Sequence, residues 1–144
     1  MHRVAEYYES HSYEVISVAF TGRAATHMPG YRPTTIARSV GMKLGVQSFV
    51  PSPIPDERGK RLSADSIPLD RIDSRWGARR LLVLVDEISQ LASEDAHLFL
   101  YIVNRYRNVV GQHDCDPVWF LAGDLGQLQP IGGSLPHLFP CSFF

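Results

Sequence analysis

Two adjacent carboxylates, Asp86 and Glu87, stand at the end of five branched aliphatics, Leu81-Leu82-Val83-Leu84-Val85, in the stretch "RRLLVLVDEISQ". An apolar run of this length, bounded by basic residues, predicts a short strand buried on both faces, as in a parallel sheet. Ligands of open α/β sheets bind beyond the carboxyl ends of the strands, so acids placed there can meet a metal or a phosphate-bearing molecule. Ordinary solvent-facing acids after a strand are the alternative. Two further stretches end in the same manner: "YEVISVAF" stops at Thr21-Gly22, and "VWFLAG" runs through Gly123-Asp124 into "DLGQLQPIGG". In a parallel sheet these three ends share one edge. The chemistry their residue types can share is phosphate handling. One carboxylate holds Mg²⁺ through its water shell, a second orients or deprotonates an attacking water, and an amide touches the terminal phosphate. Asp86, Glu87 and Gln127 are the candidates for those three roles.

The elements that must position these residues alternate in type. "MHRVAEYYESHS" places Val4, Tyr7 and Tyr8 at i, i+3 and i+4 and predicts a short amphipathic helix; with no capping residue before it, the helix reads as the continuation of an upstream segment. "YEVISVAF" is a strand, and a helix opens near Arg23-Ala24-Ala25 until "MPGYRP" interrupts it; "TTIARSVGMKLG" then resumes a helical pattern. From 50 to 76 the text turns rich in proline and charge and loses periodicity, which predicts a long surface connection, either an excursion near the substrate or a tolerated insertion. In "SEDAHLFLYIVNRYRNVV", Phe99, Ile102, Val103, Tyr106 and Val110 share a helical face, with Ser93 as N-cap and Glu94 and Asp95 in the first turn. Alternating strands and helices argue for an α/β fold, a parallel sheet with crossover helices.

The totals allow one domain with a real core: 144 residues, 44% hydrophobic and 20% charged. A formal net charge of -1 gives no global basic field, so nucleic-acid contact would have to be local. Two cysteines, Cys115 and Cys141, are too few for a disulfide framework and suit a reducing, intracellular compartment. Neither a signal peptide nor a membrane span is expected. His113, Asp114, Cys115 and Asp116 fit no common ligand spacing and read as a solvated loop; Tyr7, Tyr8, Phe99 and Tyr106 read as core rather than a base-stacking platform.

Three segments together carry a resemblance. "LLVLVDEIS" looks like a Walker B segment, "FLAGDLGQLQPIGG" resembles the G-D-x-x-Q-L-x-P motif III of superfamily 1 helicases, and "VAFTGRAATHMPGYRPTTI" resembles their motif Ia. Their order and spacing resemble the Pif-type, RecD-related ATP-dependent DNA helicases. The resemblance implies an incomplete RecA-like P-loop NTPase lobe. It also implies that Asp86 binds Mg²⁺, that Glu87 activates the hydrolytic water, and that Gln127 senses the γ-phosphate, with Asp124 beside them in motif III. It implies that Thr21, Gly22, Thr34 and Thr35 lie along single-stranded DNA, contacting backbone rather than bases. Enzymes of this family couple Mg·ATP hydrolysis to 5′-to-3′ translocation on single-stranded and forked DNA, in repair, recombination and telomere maintenance, in the nucleus or mitochondrion.

The match departs from the family where Ala37 follows Thr35-Ile36 in place of histidine, and where Gln129 precedes Pro130 in place of proline. A G-K-[ST] phosphate loop occurs nowhere in these 144 residues, and the second lobe with its arginine finger, worth about 10³ to 10⁵ in turnover, is also lacking. The chain by itself is therefore expected to hydrolyse no ATP, the remaining lobes being supplied by other sequence. The alternative is a non-catalytic remnant that binds DNA or a protein. The tail "LPHLFPCSFF" fits truncation or a divergent ending, and its aromatics, if exposed, favour aggregation.

Overall fold

The computed structural model describes residues 1–42, 67–91, 93–112 and 114–124, with the backbone alone at 93 and 94. Gln127, His113, the 125–144 tail, the 50–66 part of the connection and the Ser93 cap lie outside the described residues.

Four parallel strands form the sheet, in the order β2-β1-β3-β4: β1 (Glu14–Ala19), β2 (Thr34–Thr35), β3 (Leu81–Asp86) and β4 (Val118–Leu121). The helices are α1 (His2–Ser10), α2 (Gly22–Ala25), α3 (Ile36–Ser39) and α4 (Ser93–Val109). The α/β class with a parallel sheet and crossover helices is thus the architecture of the chain. Three strands were expected and a fourth is present. Thr34–Thr35 pairs Val18 and Ala19 over two residues, too short to leave a period in the sequence.

β3 is buried on both faces, as its unbroken apolar run predicts. Leu81, Val83 and Val85 point with Ile16 and Val18 into one core, closed by α3, α4 and Trp76; Leu82 and Leu84 point with Val15 and Ala19 into a second, closed by α1 and α2. The period of two within each strand makes this partition. Helix α4 turns Phe99, Ile102 and Val103 inward, as its spacing predicts, and leaves Val110 40% exposed beyond its last turn. Helix α1 departs from expectation. It buries Ala5, with Val4 and Tyr8 at the margin of the second core, whereas Tyr7 is 59% exposed and meets the rings of Tyr8, edge-on, and His11. The small side chain lets the helix sit close to the sheet, and the larger ring is left outside.

The end of the 50–76 connection is no surface excursion. Ile72 is buried and Trp76 wholly so, its ring packed edge-on to Phe99 and beside Trp119, and its Nε1 donating to Ser39 O at 3.1 Å. Two short 3₁₀ turns, Leu69–Arg71 and Ser74–Gly77, give this proline-rich text its local order. Asp73 caps the second turn by accepting from Arg75 N at 3.0 Å and forms an ion pair with the Arg75 guanidinium at 2.6 Å. The same guanidinium donates to the carbonyls of Tyr31 and Arg32, so it ties this turn to the loop that delivers β2. Arg107, at the end of α4, is buried, and its partners in hydrogen-bond range are backbone carbonyls. Its guanidinium donates to Trp76 O at 2.7 Å, to Ala78 O at 2.9 Å and to Cys115 O, and burial draws its pKa below the ordinary value.

Removing a group that satisfies three carbonyls leaves them unpaired in the interior. Arg107→Met should therefore lower the unfolding free energy by about 3 kcal/mol, and Arg107→Lys should recover only part of that, because one ammonium cannot reproduce the fork; urea denaturation of the three proteins measures both. Asp73 gives a pH signature. Burial pushes its carboxyl up, but the hydrogen bonds and charge of Arg75 outweigh burial and hold it below 3.8. A folded-state pKa below the unfolded one contributes stability that is present above 3.8 and is lost as pH falls through the folded value. The stability gap between the wild type and Asp73→Asn should be open at neutral pH and close as pH drops below 3.8.

Candidate functional site

The register of β1 against β3 decides what the strand ends bring together. Pairing runs from Glu14↔Leu81 to Ala19↔Asp86, so Asp86 ends level with Ala19, and Thr21 follows two residues later. β2 pairs on the far side of β1 through Ala19↔Thr35, and β4 on the far side of β3 through Val85↔Leu121. Thr21, Thr35, Asp86 and Gly123 therefore all lie at one edge of the sheet.

Glu87 is the residue on which this edge turns. It has φ 56°, in the left-handed region that costs a non-glycine residue on the order of 1 kcal/mol. Its neighbours hold it there. Its own N–H donates to Asp86 Oδ1 at 2.9 Å, and the next N–H, of Ile88, donates to Ala122 O at 3.0 Å. Ala122 N in turn donates to Val85 O at 2.8 Å, which stitches the end of β4 to the end of β3. Gly123 allows the close approach: a Cβ there would lie 3.0 Å from Ser89 N and from Ile88 Cγ2. The left-handed turn aims the Glu87 carboxylate across β1. Its Oε2 accepts from Thr21 N at 3.2 Å and from Thr21 Oγ1 at 2.9 Å. Thr21 Oγ1 accepts from Ala24 N at 3.1 Å, capping α2, so the single hydroxyl proton is committed to Glu87.

Asp86 and Glu87 are both half-buried, with Asp124 exposed just beyond β4. A hard divalent cation such as Mg²⁺ needs one or two carboxylates, with water filling the remaining positions, and a half-exposed Asp86 with an immobilised Oδ1 meets that requirement. The chemistry of this donor set fits Mg²⁺ and not a cage of protein ligands. Among the described residues no three His, Cys, Asp or Glu side chains converge.

On the other side of β1, a cleft of about 480 Å³ opens between α2 and the β2–α3 segment. Gly22, Thr34 and Thr35 line it, together with Thr26 and Arg38. The cleft thus gathers three of the four residues expected along DNA, while the fourth, Thr21, sits at the hinge between cleft and carboxylates. A Cβ at Gly22 would meet nothing within 4 Å, so the glycine leaves open space in the cleft wall. Thr35 Oγ1 caps α3 by accepting from Arg38 N at 3.3 Å, and Arg38 itself is exposed. Arg38 was not singled out in the sequence. Its signal was a basic residue one helical turn after Thr35, which acquires meaning only once α3 is known to begin there.

Comparison with known proteins adds the following. No protein-family model matches the chain, and no curated protein matches it. The structure of Bacteroides sp. Pif1 in complex with ADP-AlF4 is similar with a TM-score of 0.46 and 22% identity, over 89% of this chain and 26% of that one. Unliganded Pif1 from Bacteroides sp. is similar with a TM-score of 0.45 and 22% identity, over 91% of this chain and 26% of that one. The chain spans about a quarter of the Pif1 chains it resembles.

Proposed function

We propose that this chain is the part of a first motor lobe that carries the hydrolytic carboxylates and the DNA-facing strand ends of an ATP-dependent, 5′-to-3′ DNA helicase of the Pif type. The observation that carries the reading is the pairing of Ala19 with Asp86, which sets the carboxylate pair on one side of β1 and the Gly22–Thr35 cleft on the other. Nucleotide chemistry and nucleic-acid contact then share a single strand as their partition.

On this reading Asp86 would hold Mg²⁺, which would supply charge neutralisation to a bound nucleotide's phosphates. Glu87 accepts a proton from the attacking water, a role that asks for an ionised carboxylate within one hydrogen bond of that water. Asp124 lies beside them at the end of β4, and Gln127, a few residues on, contacts the γ-phosphate. Thr21, Gly22, Thr34 and Thr35 contact the backbone of a single strand, with Arg38 as the cation that meets its phosphates. Double-stranded forks, repair, recombination and telomere maintenance, and a nuclear or mitochondrial location, follow from the same resemblance.

A second reading is a module that binds single-stranded DNA without hydrolysis. The cleft lined by Gly22, Thr34, Thr35 and Arg38, which stands apart from the carboxylates, supports it.

Glu87→Gln, made in a protein that unites this chain with a phosphate loop and a second lobe, should reduce DNA-stimulated hydrolysis by about 10² to 10³ while leaving nucleotide affinity within about twofold. Retained hydrolysis would remove Glu87 from the mechanism. In the chain itself, Arg38→Ala should weaken binding of single-stranded oligonucleotides to a similar degree whatever their sequence, and should flatten the dependence of log K on log salt by about one unit. An unchanged salt slope would mean that Arg38 meets no phosphate.

A further inference from the structure

Thr21 and Glu87 are 66 residues apart in sequence, yet two of the hydrogen-bond donors at Thr21 converge on one carboxylate oxygen. While it is held in this way, Oε2 of the carboxylate is engaged by Thr21 and is not available to take a proton from water. The same two donors, an N–H and an O–H at the exit of β1 beside the open space at Gly22, are the kind of pair that a phosphate oxygen takes. Carboxylate and phosphate are both oxyanions, and the Thr21 hydroxyl has one proton to give because its oxygen is already engaged in capping α2. Only one of the two anions can have it.

We propose that Thr21 is a positioning residue that clasps the Glu87 carboxylate in the free chain and surrenders it when a nucleic-acid phosphate takes the Thr21 N–H and O–H. The inference rests on the reading above for the identity of both anions, and it assigns Thr21 a task that reading does not contain: coupling strand occupancy to the availability of the base. Glu87 is suited to move. Its backbone is fixed by the Ile88–Ala122 and Asp86 bonds and its side chain is half-buried, so release alters a side-chain rotamer and leaves the fold in place. The clasp also places a negative charge at the site where a polyanion must dock, so Glu87 acts as a competitor of DNA.

Competition is measurable on the chain as it stands, without hydrolysis. The probe is a fluorescently labelled oligothymidylate, titrated by anisotropy at fixed salt. Glu87→Ala should bind about fivefold to tenfold more tightly than the wild type, because both Thr21 donors are free. Asp86→Asn, which removes a charge from the same edge without touching Thr21, should change affinity by no more than about twofold. Thr21→Val should cancel most of the gain from Glu87→Ala in the double variant, and Thr21→Ser, which keeps both the cap and the donor, should restore it; this non-additivity is the signature of a shared contact. Equal tightening by Glu87→Ala and Asp86→Asn would reduce the effect to general repulsion and overturn the clasp. Binding that Glu87→Ala leaves unchanged would overturn it while leaving the DNA-binding reading intact. Failure of every variant to bind would overturn both.

Discussion

The parallel pairing of β1 with β3 is the constraint on which the rest depends. Six residue pairs in fixed register bury both faces of β3 and send side chains of β1 and β3 into both cores, and they also determine that Asp86 ends opposite Ala19. In a sheet of period two, a slip of one residue would exchange the two faces of β3. It would also carry Glu87 out of reach of Thr21. The apolar pattern that stabilises the fold and the geometry of the candidate site are therefore set by the same alignment, and one cannot drift without the other.

Around that alignment the site is held from three directions. The β4 end is stitched to β3 through Ala122 and passes Ser89 so closely that a Cβ would be crowded there. The α2 cap fixes the Thr21 hydroxyl, and the Asp73–Arg75 pair holds the loop that leads into β2. An unfavourable backbone at Glu87 persists because these bonds over-determine it, which is the usual setting in which local strain survives. The cleft lies on softer ground: it is bordered by a two-residue strand and by two one-turn helices, each helix stabilised by a threonine cap.

What the sequence made legible was local pattern. β1 and β4 show β-branched and aromatic runs, β3 an unbroken apolar run and α4 a repeat of 3.6, and the strand ends therefore marked the edge where polar residues collect. Asp86 and Glu87 stood out because two acids after five buried aliphatics have no packing role. The features that escaped are those made by contacts distant in sequence. Trp76 lies in proline-rich text with no period, and its burial depends on Ser39, Phe99 and Trp119. Arg107 reads as a solvated charge until three carbonyls from elsewhere are seen to surround it. Helical spacing placed Tyr7 inward with Val4 and Tyr8, and Ala5 took the position because closeness to the sheet mattered more. The Thr21–Glu87 contact required the register, which no local pattern reveals.

Trp76 and Trp119, the only two tryptophans of the chain, lie with their rings 6.2 Å apart and tilted by 30°. One belongs to the 3₁₀ turn that precedes β3 and the other to β4, so the 67–77 segment and the sheet each carry half of an optical pair. Two indoles this close couple their electronic transitions and give a near-ultraviolet dichroic signal that neither gives alone. The molecule thereby contains an unlabelled reporter of whether its aperiodic segment is docked, separate from the far-ultraviolet signal that reports helices and strands.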